Sequence, residues 1–517
     1  MPGGGLFILD SYGAQNVLLS GNPDFTYWYK TYKKHSHFSE ESVTQAMFGP
    51  QELFFDQPIQ VRFKIPRLAD LVRDMYFTFT LPDIYCKYVD LLTDSSRDCQ
   101  YNFSWINYIG AYIIQNCAFF IGGQKIQEFD GTYMIVKAQA DLDKDSFQKW
   151  SVLVGNVNEL IDPANSPYAG GSLGVGYPVV VSDPDGNNFN RPSIFGRDIS
   201  VPLPLWFTET TFGALPLVAL QYHEAEIQIT LRPIQQLYKL LDPSGNVVRP
   251  GFNKLSTDPL LPMTTNYVQK TSLSGDEISA FLVDWGQPQP QLNTWPLNPR
   301  LTMTYVYVSE EEQQQFATQE LSYLVHQVTA YQFLGVTSRQ LVELQTHNPI
   351  NRLFILPRRS DAIEFRNDVT NFTNWIGTKA PFLPPLTPTL PTIVGYQASG
   401  RFVQQGQQQI LQTFRILCDG NEIQEEKPSE YFQTVVPWKY ERGITDVGIL
   451  TYPFGLHSPT IQPDGTVNSS RIRRFQLDLN PYPLPQDCNW YYNVTVYVEN
   501  LNWVQISAGM GGLKYAL

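Results

Sequence analysis

Apolar and polar residues trade places one by one along much of this chain. Met75, Phe77, Phe79 and Leu81 alternate with Tyr76, Thr78 and Thr80; Ile227, Ile229 and Leu231 alternate with Glu226, Gln228 and Thr230. Phe475, Leu477 and Leu479 are spaced by Gln476 and Asp478, and Val494, Val496 and Val498 by Thr495, Tyr497 and Glu499. Successive side chains of a strand point to opposite faces, so this period predicts strands with one face in a core. Met303, Tyr305 and Tyr307 interleave with Thr304, Val306 and Val308, a segment apolar on both faces. Helical signals are few and short. Ser309-Glu310-Glu311-Glu312 has capping-box spacing and predicts a helix running on through Gln313 to Phe316. Ala14 to Leu19 predicts one turn, stopped by Gly21 and Pro23, and Ser274 to Val283 another short helix.

The pattern also repeats on a longer scale. Gly123-Gln124-Lys125-Ile126-Gln127-Glu128 returns as Gly420-Asn421-Glu422-Ile423-Gln424-Glu425, each followed by an aromatic segment, Tyr133 or Tyr431-Phe432. Met75 to Pro82 is echoed more weakly by Arg352 to Pro357, in the same order along the chain. A unit of half the chain points to a duplicated domain and not a solenoid. Each half has strands enough for two packed sheets, so the expected fold is all-β, two consecutive eight-stranded jelly rolls with short helices and long loops. The expected division is an N-terminal arm at 1–40, a first jelly roll at 41–245, a linker at 246–300 and a second jelly roll at 301–517. Turn-rich Leu241 to Asn253 and Gln287-Pro288-Gln289-Pro290 mark the linker. Two long excursions, Asp162 to Pro192 and Arg358 to Gln409, lack periodicity; segments of that length are functional or flexible.

Composition narrows the function. Charged residues make up 16% of the 517, against about 25% in an average globular protein. Aromatics reach 14%, which suits buried strands and contact surfaces and not disorder. The net charge of −13 leaves no basic arm for a nucleic-acid backbone. Lys30, Lys33 and Lys34, next to His35 and His37, read as a solvated face. Five cysteines without a C-x-x-C pair read as free thiols in a reducing compartment. No charged-then-apolar leader, no glycine at position 2 and no apolar run of about 20 residues predict a chain made and kept in the cytosol. The sequons at Asn102, Asn371, Asn468 and Asn493 are then bystanders.

The search for chemistry comes back empty. His35-x-His37 with Glu41 resembles half of a cupin metal motif, and alternation would put both imidazoles on one face. The flanking glycines are misplaced, and His223, His326, His347 and His457 supply no convincing partner, so a polar pair beside an interface is the better reading. His223 reads as a hydrogen-bonded structural residue, and Gly122-Gly123 as a turn. There is no Gly-x-Ser-x-Gly and no assembled Ser-His-Asp or Cys-His set. No catalytic, cofactor or metal site is expected, and no enzyme.

Several segments resemble the major capsid proteins of nucleocytoplasmic large DNA viruses, the family with iridovirus, phycodnavirus and mimivirus members. Tyr12-Gly13-Ala14-Gln15-Asn16-Val17 with Gly21-Asn22-Pro23 is similar to the family's N-terminal motif, continued by Tyr29 to His35. Leu215 to Glu224 resembles the end of its first jelly roll, Gln462 to Ile472 a motif of the second, and Ser507 to Tyr515 the C-terminal end. The matches are collinear. Departures are Ser20 for the usual Thr, Asp24 for Gln and Ser469 for an aromatic. The resemblance implies a homotrimeric, pseudo-hexagonal capsomer tiling an icosahedral virion shell assembled in the host cytoplasm. It implies as partners further copies, penton and minor capsid proteins and a nearby internal membrane, without direct nucleic acid. It would use the arm residues Phe25, Tyr27, Trp28, Tyr29 and Tyr32 as contacts between capsomers. Readings kept open are a poxvirus-like scaffold lattice protein, a paralogous minor capsid protein, a carbohydrate binder using Trp375 or Trp490, and a cupin-like metalloenzyme.

Overall fold

The computed structural model describes residues 3–28, 32–85, 102–161, 180–182, 188–190, 192, 194–241, 247–254, 267–270, 275–283, 290–374, 409–457, 462–484 and 488–515. In the first half the main strands are β1 (Phe38–Ala46), β2 (Ile59–Lys64), β3 (Leu71–Leu81), β4 (Ile114–Ile121), β5 (Gln124–Phe129), β6 (Arg197–Pro202), β7 (Ala225–Leu231) and β8 (Arg300–Val308). In the second they are β9 (Leu321–Val336), β10 (Gln340–Leu344), β11 (Pro349–Arg359), β12 (Leu411–Cys418), β13 (Asn421–Pro428), β14 (Leu450–Pro453), β15 (Phe475–Pro481) and β16 (Tyr492–Ser507).

The first half forms sheets of order β1-β8-β3-β6 and β2-β7-β4-β5. The second half repeats the permutation strand for strand, β9-β16-β11-β14 and β10-β15-β12-β13. All these pairings are antiparallel. In each half the last strand inserts between the first and the third, and the remaining four strands form the other sheet, a double jelly roll. The alternation is realised in burial: Ile59, Val61 and Phe63 of β2 and Ile227, Ile229 and Leu231 of β7 face the core. On β8, Leu301, Met303 and Tyr305 are buried and Tyr307, further along that face, is exposed; on the opposite face Val306 is buried and Thr302, Thr304 and Val308 are half-buried.

The short repeats fall on equivalent places. Gly123 to Glu128 lies in the β4–β5 hairpin and Gly420 to Glu425 in the β12–β13 hairpin. Their two-residue turns, Gly122-Gly123 and Asp419-Gly420, have φ of +57° and +82°, and +49° and +83°. Two positive φ values in a two-residue loop match the right-handed twist of the strands, and Gly-Gly and Asp-Gly supply them readily. The weaker echo occupies β3 and β11, also equivalent.

Three expectations change. Strand β8, assigned to the second half, pairs with both β1 and β3, so the first half closes at Val308 and not at 245. A jelly roll's last strand returns to pair with its first, and distance along the chain hides that. The expected linker at 246–300 accordingly packs on the first half: Trp295 is fully buried edge-on to Trp105, with ring centroids 5.4 Å apart. Residues 287–289 lie outside the described residues. The second change is helical. Helices α1 (Gly4–Asp10), α2 (Gly131–Asp141), α3 (Lys144–Leu153) and α4 (Glu310–Thr318) are present. Only α4 was signalled by its start, and Ser309 holds its N-cap position without a side-chain bond. Helix α2 buries residues on all sides, so it has no polar stripe to betray its period. Third, the expected excursion 358–409 starts as a buried plug. Asp361, Arg366, Asn367, Asp368 and Asn371 are each under 5% exposed. Residues 375–408, Trp375 among them, and 162–179, 183–187 and 191 of the other long loop lie outside the described residues. In Ser274 to Val283 the described part holds one short 3₁₀ turn, Ile278–Ala280.

The main core is not confined to one barrel. Phe354, Leu356, Tyr497, Val504 and Ile506 of the second half join the cluster built by the first. A separate core fills the second barrel around Phe414, Ile416, Leu477 and Val496. Cys117 and Cys418 are buried free thiols and Cys488 a half-buried one; Cys86 and Cys99 lie outside the described residues.

Candidate assembly surfaces

The seam between the barrels is built on charge. Arg352 of β11, 2% exposed, donates from Nε to Glu499 Oε2 at 2.9 Å and from Nη2 to Glu499 Oε1 at 3.0 Å. Its Nη1 donates to Asp141 Oδ1 of α2 at 2.6 Å. Lys137 of α2 lies 3.0 Å from Asp141 and 3.3 Å from Glu209. The Tyr133 hydroxyl donates to Glu499 at 2.6 Å. Burial alone would raise the carboxyls of Asp141 and Glu499; the Arg352 guanidinium and Lys137 outweigh it and hold both below the usual range. Glu441, facing the same charges, has both carboxyl oxygens buried, and burial pushes it up to about 7 against the pull of Arg352 and of the Thr451 hydroxyl. A cavity of about 370 Å³ opens beside this cluster, lined by Lys137, Glu209, His326 and Arg442 among others.

Further hydrogen bonds extend the seam. Tyr497 donates to Asp130 at 2.7 Å, and Gln127 donates to the His326 carbonyl at 2.8 Å. At one end the buried plug reaches the first half, where Asn367 Nδ2 donates to the carbonyls of Gln235 and Tyr238, both at 2.8 Å. Elsewhere on the seam two distant sequence motifs meet. The Tyr222 amide donates to the Gly509 carbonyl at 2.9 Å, and His223 Nδ1 sits 2.9 Å from the Gly511 carbonyl oxygen. The structural role expected of His223 is the one it has. Nothing in the local sequence pointed to Arg352 or Glu499, which lie 147 residues apart.

The N-terminal arm is the opposite kind of surface. Every residue from 3 to 28 is exposed except half-buried Thr26. Its motif holds itself together: Gly13 N donates to Asn16 Oδ1 at 3.1 Å, and the Tyr12 and Ser20 hydroxyls are 2.8 Å apart. Phe25, Tyr27, Trp28 and Tyr32 are all more than three-quarters exposed, while Tyr29 lies outside the described residues. Leu6, Phe7, Ile8 and Leu9 of α1 are exposed as well. Uncovered apolar surface of this extent on one segment is of the kind found at interaction sites.

The remaining candidates are local. His35 and His37 are exposed, and His35 Nδ1 contacts the Ser36 carbonyl at 2.7 Å. Glu41 accepts from Tyr307, and no group of three potential metal ligands occurs among the described residues. Asn371 is 1% exposed and bonded to Asp368, so its sequon is closed in the folded chain. No helix among the described residues is long and apolar enough to cross a membrane.

Comparison with known proteins gives a consistent set of likenesses. A sequence family described as "Major capsid protein N-terminus" matches residues 26–268, and one described as "Large eukaryotic DNA virus major capsid protein" matches residues 312–512. The major capsid protein of Phaeocystis pouchetii virus is 25% identical, over 99% of each chain. That of Paramecium bursaria Chlorella virus 1 is 24% identical, again over 99% of each. Among solved structures, a chain of the "PBCV-1 virus capsid, quasi-atomic model" superposes with a TM-score of 0.62, at 20% identity, over 95% of this chain and all of that one. The Faustovirus major capsid protein superposes with a TM-score of 0.61, at 14% identity, over 97% and 96%.

Proposed function

The chain belongs to the major capsid protein family of large eukaryotic DNA viruses, and we propose that three copies associate into a pseudo-hexagonal capsomer that tiles an icosahedral shell. The observation that carries this reading is the strand order repeated in both halves. Two barrels of one plan per chain let a three-fold assembly present six similar edges, and a hexagonal outline tiles a facet by repeated edge contacts. The charged seam fits the same purpose, because the barrels must hold a fixed mutual angle for the edges to register.

In this reading the function is carried by surfaces and needs no catalysis, cofactor or metal. The arm residues Phe25, Tyr27, Trp28, Tyr29 and Tyr32 contact neighbouring capsomers, as aromatics do at interface anchors. Penton and minor capsid proteins occupy the other edges, an internal membrane lies beneath, and assembly takes place in the host cytoplasm. The net charge of −13 argues against direct contact with the genome. Sedimentation of the purified full-length protein tests the oligomer: a species of three times the 59.0 kDa chain is expected, and a monomer at all concentrations contradicts it.

A further inference from the structure

We propose that a groove beside helix α4 receives the apolar helix α1 of a second copy of this chain. The inference rests on the reading of the arm as a contact between copies and names the surface that takes it.

The groove has a volume of about 530 Å³ and lies between the first residues of β1, the ends of β3 and β8, helix α4 and the turn 211–214. Its floor is a small apolar cluster of its own, detached from both main cores: Leu71, Ala214 and Val306, with Val308 and Phe316 half-buried against it. Phe38 and Phe212 stand exposed among its lining residues. The floor itself is buried, and the uncovered apolar surface is that of Phe38 and Phe212 at its edge, beside the Arg73–Glu40 ion pair. Helix α1 is the converse. It has seven residues, none of them buried, with Leu6, Phe7, Ile8 and Leu9 in water. A helix that short is marginal alone and gains its stability by docking an apolar face, here into a groove.

Three observations favour a second copy as the occupant. The arm leaves the body at Ser36, which itself lines the groove, yet the folded single chain leaves both the arm and the groove uncovered. With Ala14 to Ser20 kept helical, the stretch from Ser11 to His35 can span up to about 70 Å, at roughly 3.3 Å per extended and 1.5 Å per helical residue, enough to reach a neighbour. The arm that carries α1 also carries charge opposite to that of α4, at Lys33 and Lys34 and not on α1 itself. Glu310, Glu311 and Glu312 fill the first turn of α4. Neither these glutamates nor Lys33 and Lys34 of the arm form an ion pair among the described residues.

The test places the photo-crosslinker p-benzoylphenylalanine at position 316 of the full-length protein. After irradiation, denaturing electrophoresis and peptide mapping should show a species of twice the chain mass, joined through residues 6–9. The same protein carrying Phe7→Asp should give at least about ten-fold less of it. A crosslink to the arm at single-chain mass, a dimer joined through another segment, or no crosslink at all overturns the proposal. Sedimentation of the same sample separates the two failures. A trimer without this crosslink removes only the groove, and the lack of a trimer removes the capsomer reading beneath it.

Discussion

At the scale of the residue, the seam depends on balanced charge. Arg352 is buried between Glu499 and Asp141, and deleting it strands two carboxylates in a low-dielectric site. Breaking a buried pair by removing one partner costs about 3–5 kcal/mol, so Arg352→Ala should lower the stability measured by urea unfolding by roughly that amount. The pH dependence has two opposed parts. Asp141 and Glu499 have folded pKa values below their unfolded ones, so their contribution is present above about pH 4 and is lost as pH falls through the folded values. Glu441 is raised to about 7, so its contribution is present below its unfolded pKa near 4.5 and is lost as pH rises towards 7. Glu441→Gln should therefore stabilise the protein at pH 8, by roughly 3 kcal/mol for a rise from 4.5 to about 7 at 1.36 kcal/mol per pKa unit, and have little effect at pH 4. Equal effects at both pH values would contradict this origin. None of this was legible in the sequence: Arg352, Asp141 and Glu499 come from three distant segments, and only the fold makes them neighbours.

At the scale of the element, legibility followed local physics. A strand such as β7 announces itself because one face is core and the other is not. The turn at Gly122-Gly123 announces itself because few residues tolerate two positive φ values; Asp419-Gly420, its counterpart, has the same geometry and was not read as a turn. Helix α2 did not, since its burial on all sides erases the stripe that reveals a helix. Two glycines of these hairpin turns, at non-equivalent positions, also allow a contrast. A Cβ at Gly420 would meet nothing within 4 Å, so Gly420→Ala carries only the left-handed backbone cost, about 1–2 kcal/mol. A Cβ at Gly122 would lie 2.4 Å from the His223 ring, which is fixed against Gly511. Thermal or urea unfolding should find Gly122→Ala clearly the more damaging of the pair.

At the scale of the whole molecule, the duplication was readable from two short echoes, and the double jelly roll followed from it. The boundary was not, because β8 closes the first barrel from a position 219 residues after β3 ends, counted from Leu81 to Arg300. The exposed aromatics of the arm were readable as candidates, but which surface they meet is a property of the assembly. Replacing Phe25, Tyr27, Trp28 and Tyr32 together by Ser should leave the unfolding transition of the chain within about 0.5 kcal/mol, as surface changes do, while abolishing ordered arrays under the electron microscope. Arrays that persist would remove these residues from the contacts. The central claim, that two like barrels per chain let three chains act as six, is tested most directly by electron microscopy of the purified full-length protein. Three-fold particles with a hexagonal outline are the expected result; monomers or two-fold dimers would contradict it.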